Sequence, residues 1–205
     1  MPFDTPDFSD DSGVQRMLAY QAGDEAAFDH LVAEYSPQVH SLLTRFLGPR
    51  PNREDLVQEV FLRVIRARER YQPSARFSTW LFRIVFNLSV NETQRAGGKE
   101  LHLDRSISFD VEGARDALSE LGDVRAAQPS DELEQQDVVQ AVRAAIGRLP
   151  ENQRMALILA KYEELPYSEI ATVLGSSEKA VKSLIHRARE TLRESLAPFL
   201  QGELS

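Results

Sequence analysis

Apolar residues recur along this chain at intervals of three and four, the spacing of one face of an α-helix. Phe28, Leu31, Val32 and Tyr35 make the first clear stripe, behind Asp24 as N-cap. Ser36-Pro37 is expected to close that helix and open another, with Pro at its first helical position and Val39, Leu42, Leu43 and Phe46 as its apolar side. Gly48-Pro49-Arg50-Pro51 reads as a turn. Asn52 then caps a helix with Glu54 and Asp55 in its first turn, where the helix dipole favours anions. Its stripe is Leu56, Val57, Val60, Phe61, Val64 and Ile65, and its other side carries Asp55, Gln58, Glu59, Arg63 and Arg66. After a break at Tyr71-Gln72-Pro73-Ser74, a fourth helix is predicted from about Ser78 to Ala96, stopped by Gly97-Gly98. Leu81, Ile84, Val85 and Leu88 face its core, while Trp80, Arg83, Asn87, Asn91 and Gln94 follow one another along a different side.

Residues 97–130 have no sustained periodicity and mix Gly, Ser, Pro and charge, which predicts a linker. Helical spacing returns near Asp131 with Leu133, Val138, Val142, Ala145, Ile146 and Leu149, and Pro150 ends that helix. Met155 to Tyr162 gives another, and Pro166 opens a short one. Past a tight turn at Gly175, Ser176 is the expected N-cap of a last helix that buries Val181, Leu184, Ile185, Ala188 and Leu192. No segment alternates with the period of a strand. The expected fold is all-α: two small helical domains joined by a flexible linker, the C-terminal one containing a helix-turn-helix. The boundaries are an acidic N-terminal tail over 1–23, with a short helical stretch around Met17–Tyr20, a first domain over 24–98, an acidic linker over 99–130 and a second domain over 131–200.

Composition sharpens this picture. With 205 residues, 42% of them hydrophobic, the chain can fill two small cores. Its net charge is −8, unevenly spread. Residues 61–95 hold seven Arg against Glu69 and Glu92, and residues 176–193 hold five basic residues against Glu178 and Glu190. An acidic body with two basic faces predicts weak binding to DNA alone, with a large partner adding affinity. There is no cysteine, and His30, His40, His102 and His186 lack metal-ligand spacing, so neither metal nor cofactor is expected. The N-terminus has no apolar run and no stretch has transmembrane length, so the expectation is a cytoplasmic protein without membrane insertion. No phosphate loop, dinucleotide turn or zinc-protease motif is present, and no catalysis is expected.

Two constellations carry the candidate chemistry. The first turns of a recognition helix reach base edges, and here they present Ser177, Glu178, Lys179, Lys182, Ser183 and His186. The lysines can donate to guanine or phosphate and Glu178 can accept from cytosine, while Arg187 and Arg189 suit phosphates. A solvated amphipathic helix is the plain alternative; the short preceding helix and the Gly-Ser-Ser turn favour DNA. Between Phe77 and Arg95, an aromatic face, arginines and the amides of Asn87 and Asn91 suit single-stranded nucleic acid. Composition alone favours Trp80 packing into the core beside Phe77. Asp55, Gln58 and Glu59 are, by themselves, a polar helix surface.

Together, two blocks are more specific than either alone. EDLVQEVFLRVIRARERYQPSARFSTWLFRIVFNLSVNETQR resembles region 2, and AIGRLPENQRMALILAKYEELPYSEIATVLGSSEKAVKSLIHRARETL region 4, of the extracytoplasmic-function (ECF) sigma factors of bacterial RNA polymerase. The resemblance spans roughly residues 24–97 and 132–197, in the right order. It implies a promoter-specificity subunit whose partners are core RNA polymerase, promoter DNA and an anti-sigma factor. Asp55, Gln58 and Glu59 would dock on the coiled coil of the β′ subunit. Trp80, Arg83, Asn87 and Asn91 would meet the upstream element where the strands open. Lys179, Lys182, Ser183 and Arg187 would read the distal element as duplex, and the acidic linker would thread through the polymerase. The chain departs from the pattern at Leu184, where the family often has Arg. Two alternatives compete. A response-regulator-type helix-turn-helix regulator would need an α/β receiver domain. A sigma-mimicking protein that binds an anti-sigma factor without reading DNA would not need Trp80, Asn87 or Lys182.

Overall fold

Asp11 opens the first helix, α1 (Ser12–Gln21), by accepting a hydrogen bond from the Val14 N–H at 2.8 Å. A computed structural model describes residues 8–48, 52–97 and 132–200, so the linker expected at 99–130, most of the acidic tail and His102 lie outside the described residues. The expected tail ended too late. Helix α1 belongs to the first core, because Val14, Met17 and Tyr20 are buried with the residues of the next helices. Gln21 ties it down by donating from Nε2 to the carbonyls of Arg68 at 2.8 Å and Tyr71 at 3.2 Å. The Arg68 guanidinium lies 4.1 Å from the centre of the Tyr20 ring and pairs with Glu25 at 2.7 Å.

Helix α2 (Glu25–Leu47) starts on Asp24, whose carboxylate accepts from Ala26 and Ala27 N–H at 3.1 and 3.3 Å. It does not stop at Pro37, which lies inside one unbroken helix. A proline in a helix interior costs about 3 kcal/mol through a lost hydrogen bond and a clash. Here Leu31, Tyr35, Val39, Leu42, Leu43 and Phe46 stay in phase along one buried side, and Pro37 itself faces out. Burying six large side chains, at roughly 1.5–3 kcal/mol each, outweighs that local penalty.

Helix α3 (Arg53–Ala67) follows, with Asn52 at the N-cap position but making no side-chain cap bond. Leu56, Val60, Phe61 and Val64 are buried as expected; Ile65 is not. A short 3-10 turn (Arg68–Arg70) leads to α4 (Phe77–Gly97). The second half comprises α5 (Glu132–Arg148), α6 (Glu151–Tyr162), α7 (Tyr167–Leu174) and α8 (Glu178–Leu200). The described residues thus form eight α-helices, and the all-α class with its terminal helix-turn-helix holds.

The two halves are not apart. Val139, Val142, Ala145, Ile146, Leu149, Leu157, Ala188, Leu192 and Leu196 make a core private to the second half. A larger core runs across both, uniting Phe46, Phe82 and Phe86 with Met155, Ile158, Leu159, Ile170 and Val173. Along this seam α4 packs on α7 and α2 on α6. Arg154 is buried there, donating to the carbonyls of Gly147 at 2.6 Å, Leu149 at 3.0 Å and, across the seam, Phe46 at 3.0 Å. Arg45 lies 4.5 Å from the centre of the Tyr162 ring and 4.0 Å from Glu163. Burial pushes the Glu163 carboxyl above the usual range, against the pull of Arg45.

Gly13 has no room for a side chain: a Cβ there would sit 2.5 Å from the Tyr35 hydroxyl and 2.7 Å from the Phe77 Cβ. Gly13→Ala is therefore expected to lower unfolding free energy by about 1–3 kcal/mol through overpacking. Equilibrium urea unfolding checks this; an unchanged midpoint would mean that α1 is not seated in this core.

Candidate nucleic-acid and polymerase interfaces

The helix-turn-helix is closed by backbone chemistry. Gly175 takes the left-handed conformation at φ 61°, the Ser176 N–H donates to Ala171 O at 2.9 Å and the Gly175 N–H to Thr172 O at 3.4 Å. This pair of bonds ends α7 and turns the chain into α8. The expected cap moves by one residue: Ser177, not Ser176, accepts from the Ala180 N–H, at 3.2 Å. Val181, Ile185, Ala188 and Leu192 then face inward, and Leu184 is half-buried against the shared core. Ser177, Glu178, Lys179, Lys182, His186 and Arg187 are exposed. Ser183 is half-buried and its hydroxyl donates to the Lys179 carbonyl at 3.1 Å, so it offers lone pairs rather than its proton. The His186 Nε2 lies 3.3 Å from Glu190.

Helix α4 divides into three strips. Leu81, Val85 and Leu88 face the first core, with Ile84 only half-buried. Thr79, Phe82, Phe86 and Thr93 share a second strip, whose ends bond the second half: Thr79 donates to Glu169 at 2.5 Å and Thr93 to Glu151. Sequence periodicity missed this strip because two apolar strips on one helix read as one wide face. Arg83, Asn87 and Asn91 form the third strip and are exposed. Trp80 lies at its edge, half-buried, with its ring 4.9 Å from Tyr71 edge-on and 5.6 Å from Phe77. Packing beside Phe77 and presenting an aromatic edge are therefore compatible. Burial pushes the neighbouring Tyr71 hydroxyl well up, which keeps it protonated.

On α3, Asp55 and Gln58 are exposed and Glu59 half-exposed. Arg63, donating from Nε at 3.0 Å, and Arg66, at 3.3 Å, hold the Glu59 carboxyl below its ordinary range. Leu62 and Ile65 share this outward side at 44% and 41% exposure. The structure thus adds an apolar pair to a surface legible only as polar. The three candidate sets stay on three separate helices. Among the described residues no acidic or histidine cluster could hold a metal, and no helix is long and apolar enough to cross a membrane.

Family models match both halves: Sigma-70 region 2 over residues 31–98 and Sigma-70, region 4 over residues 139–192. The RNA polymerase sigma-H factor of Pseudomonas aeruginosa is 34% identical over 184 residues, covering 88% of this chain and 92% of that protein. The ECF RNA polymerase sigma-E factor of Escherichia coli K12 is 32% identical over 185 residues, with the same coverage. The chain belongs to the ECF sigma factors of RNA polymerase. Among solved structures, CnrH in complex with the cytosolic domain of CnrY shares the sigma-factor fold at TM-score 0.63, 24% identity, 91% of this chain and 98% of that one. The sigma factor RpoE of Bartonella quintana, in complex with the anti-sigma factor NepR, does so at TM-score 0.56, 21% identity, 83% and 96%. Both sigma regions are present in order, which favours a promoter-specificity subunit over a free-standing helix-turn-helix regulator.

The shifted cap gives a direct check on how α8 begins. Ser177→Ala is expected to cost about 1 kcal/mol of stability and Ser176→Ala only a few tenths. Chemical denaturation of the two variants side by side decides it, and the reverse order would restore the cap expected from sequence.

Proposed function

We propose that this sigma factor docks on core RNA polymerase through α3, reads the upstream promoter element with α4 and reads the distal element with α8. What carries the assignment is that each helix buries an apolar side and turns a largely polar one to solvent. On α3 the strip is Asp55, Gln58 and Glu59, with Leu62 and Ile65 supplying apolar area. A polymerase-facing surface gains from that mixture, since apolar anchors contribute binding energy and the acids set partner and register. On α4, Trp80 offers a stacking edge and Arg83, Asn87 and Asn91 offer charge and bidentate amides for an opened strand. On α8, Lys179 and Lys182 sit in the turns that face base edges, and Arg187 suits phosphate.

Energetics support the division of labour. Opening duplex costs about 1.4 kcal/mol per base step, and each stacked base returns only about 1–3 kcal/mol. One tryptophan cannot offset a whole bubble, so the polymerase must supply most of the opening. An acidic chain with two local basic faces fits a subunit that needs that help. The same reading makes the chain a non-catalytic initiation factor acting in the cytoplasm, with α1 joined to residues 24–98 as the first domain and 131–200 as the second. It also assigns an anti-sigma factor as partner, because one solved neighbour, the sigma factor RpoE of Bartonella quintana, is held in complex with the anti-sigma factor NepR.

Run-off transcription with purified core polymerase and a promoter library tests the whole assignment. Lys182→Ala is expected to lower discrimination at the distal element by about 1–3 kcal/mol with polymerase binding intact; equal loss at every sequence would contradict base readout. Asn87→Ala should slow opening more than closed-complex formation, and unchanged permanganate reactivity in the bubble would remove that role.

A further inference from the structure

Trp80 packs against two rings, Tyr71 edge-on at 4.9 Å and Phe77 at 5.6 Å, and these two residues bracket the connection between α3 and α4. Between them Gln72, Pro73, Ser74 and Arg76 are exposed, so the connection is anchored at its two ends. Helix α1 grips both. Near its start, Gly13 lets the backbone of α1 lie against Phe77, where a Cβ would come within 2.7 Å of the Phe77 Cβ. At its end, the single amide of Gln21 donates to the carbonyls of Arg68 at 2.8 Å and Tyr71 at 3.2 Å. The rise from Gly13 to Gln21, about 12 Å at 1.5 Å per residue, sets the distance between the two grips.

Little else gives Tyr71 a direction. The backbone bond that closes the 3-10 turn, from Tyr71 N–H to Arg68 O, is long at 3.4 Å. The Tyr71 hydroxyl is buried with no hydrogen-bond partner among the described residues, so the tip of the ring is held by packing alone. The ring is therefore placed from its backbone, and the shorter bonds on that backbone come from Gln21. Arg68 adds a second tie in the same turn, with its guanidinium 4.1 Å from the centre of the Tyr20 ring and 2.7 Å from Glu25. Helix α1 precedes the stretch matched to Sigma-70 region 2, which begins at residue 31.

We infer that α1 positions the strand-opening surface and that Gln21 is its positioning residue. By fixing the carbonyls at both ends of the 3-10 turn, Gln21 sets Tyr71, and through Tyr71 it sets the edge that Trp80 presents beside Arg83 and Asn87. Gln21 itself touches no DNA; it acts through Trp80. The inference rests on the reading of α4 above and deepens it. Polymerase docking through Asp55, Gln58 and Glu59 does not depend on Gln21, because Glu59 lies roughly two and a half helical turns before Arg68.

Trp80 is the sole tryptophan of the chain, so its fluorescence reports on this one place. Gln21→Met removes both donors on an unbranched stem, and Gln21→Asn keeps the amide on a shorter one. In the free full-length protein, acrylamide quenching of Trp80 should rise about twofold in Gln21→Met, with Gln21→Asn between it and wild type. Promoter opening by the holoenzyme, followed by permanganate reactivity, should slow about fivefold or more. Affinity for core polymerase should stay within about twofold of wild type. A glutamine that only stabilises the fold would lower the unfolding midpoint and leave Trp80 quenching in the folded protein unchanged. That result, or equal losses in core binding and in opening, would overturn the inference. Should Gln21→Met not fold, Gln21→Asn carries the test alone: raised quenching is expected, and unchanged quenching overturns it. A wild-type holoenzyme that opens no promoter would count against the strand-opening reading, whereas fluorescence would still decide whether Gln21 positions Trp80.

Discussion

With about 100° of turn per residue, the helix Phe77–Gly97 splits into three strips roughly 120° apart, and each has a different neighbour. Leu81, Val85 and Leu88 belong to the first domain, Thr79, Phe82 and Phe86 to the seam, and Arg83, Asn87 and Asn91 to solvent. This partition constrains everything around it. A helix with two buried strips can be held rigidly on both sides, which fixes the direction in which the third one points. Positioning of this kind is what base recognition needs, because a polar group misplaced by an ångström loses most of its discrimination. Two of the three strips depend on burial within one domain or between two, so α4 is also the element through which a change at the seam would be felt at the DNA-reading side.

Arg154 makes a second constraint of a different kind. A buried guanidinium is tolerated only where its donors are met. Here Nη1 and Nη2 meet carbonyls at the ends of α5 and α2, where helix dipoles leave partial negative charge. Its two bonds to Gly147 and Leu149 lie within the second domain and would survive separation of the halves; the bond to Phe46 would not. Nη2 is thus held within the second domain, while Nη1 reaches across to the first.

Much of this architecture could be read from spacing alone, and the exceptions share a cause. Helical periodicity reports which side of an element is apolar, not what covers it. It found Leu81, Val85 and Leu88 but could not separate Phe82 and Phe86 as a strip for another domain. It placed Ile65 in the core because the residue is apolar and nearly in phase, whereas the structure leaves it outside with Leu62. Pro37 read as a break because local rules act on single residues; the uninterrupted stripe from Leu31 to Phe46 overrode it. Helix α1 was taken for the end of a tail because its apolar residues are few, although the core accepts each of them. The recognition helix was the most legible part, since the Gly175 turn, a serine cap and the buried series Val181, Ile185, Ala188 and Leu192 are all local signals. Only the cap moved, by one residue.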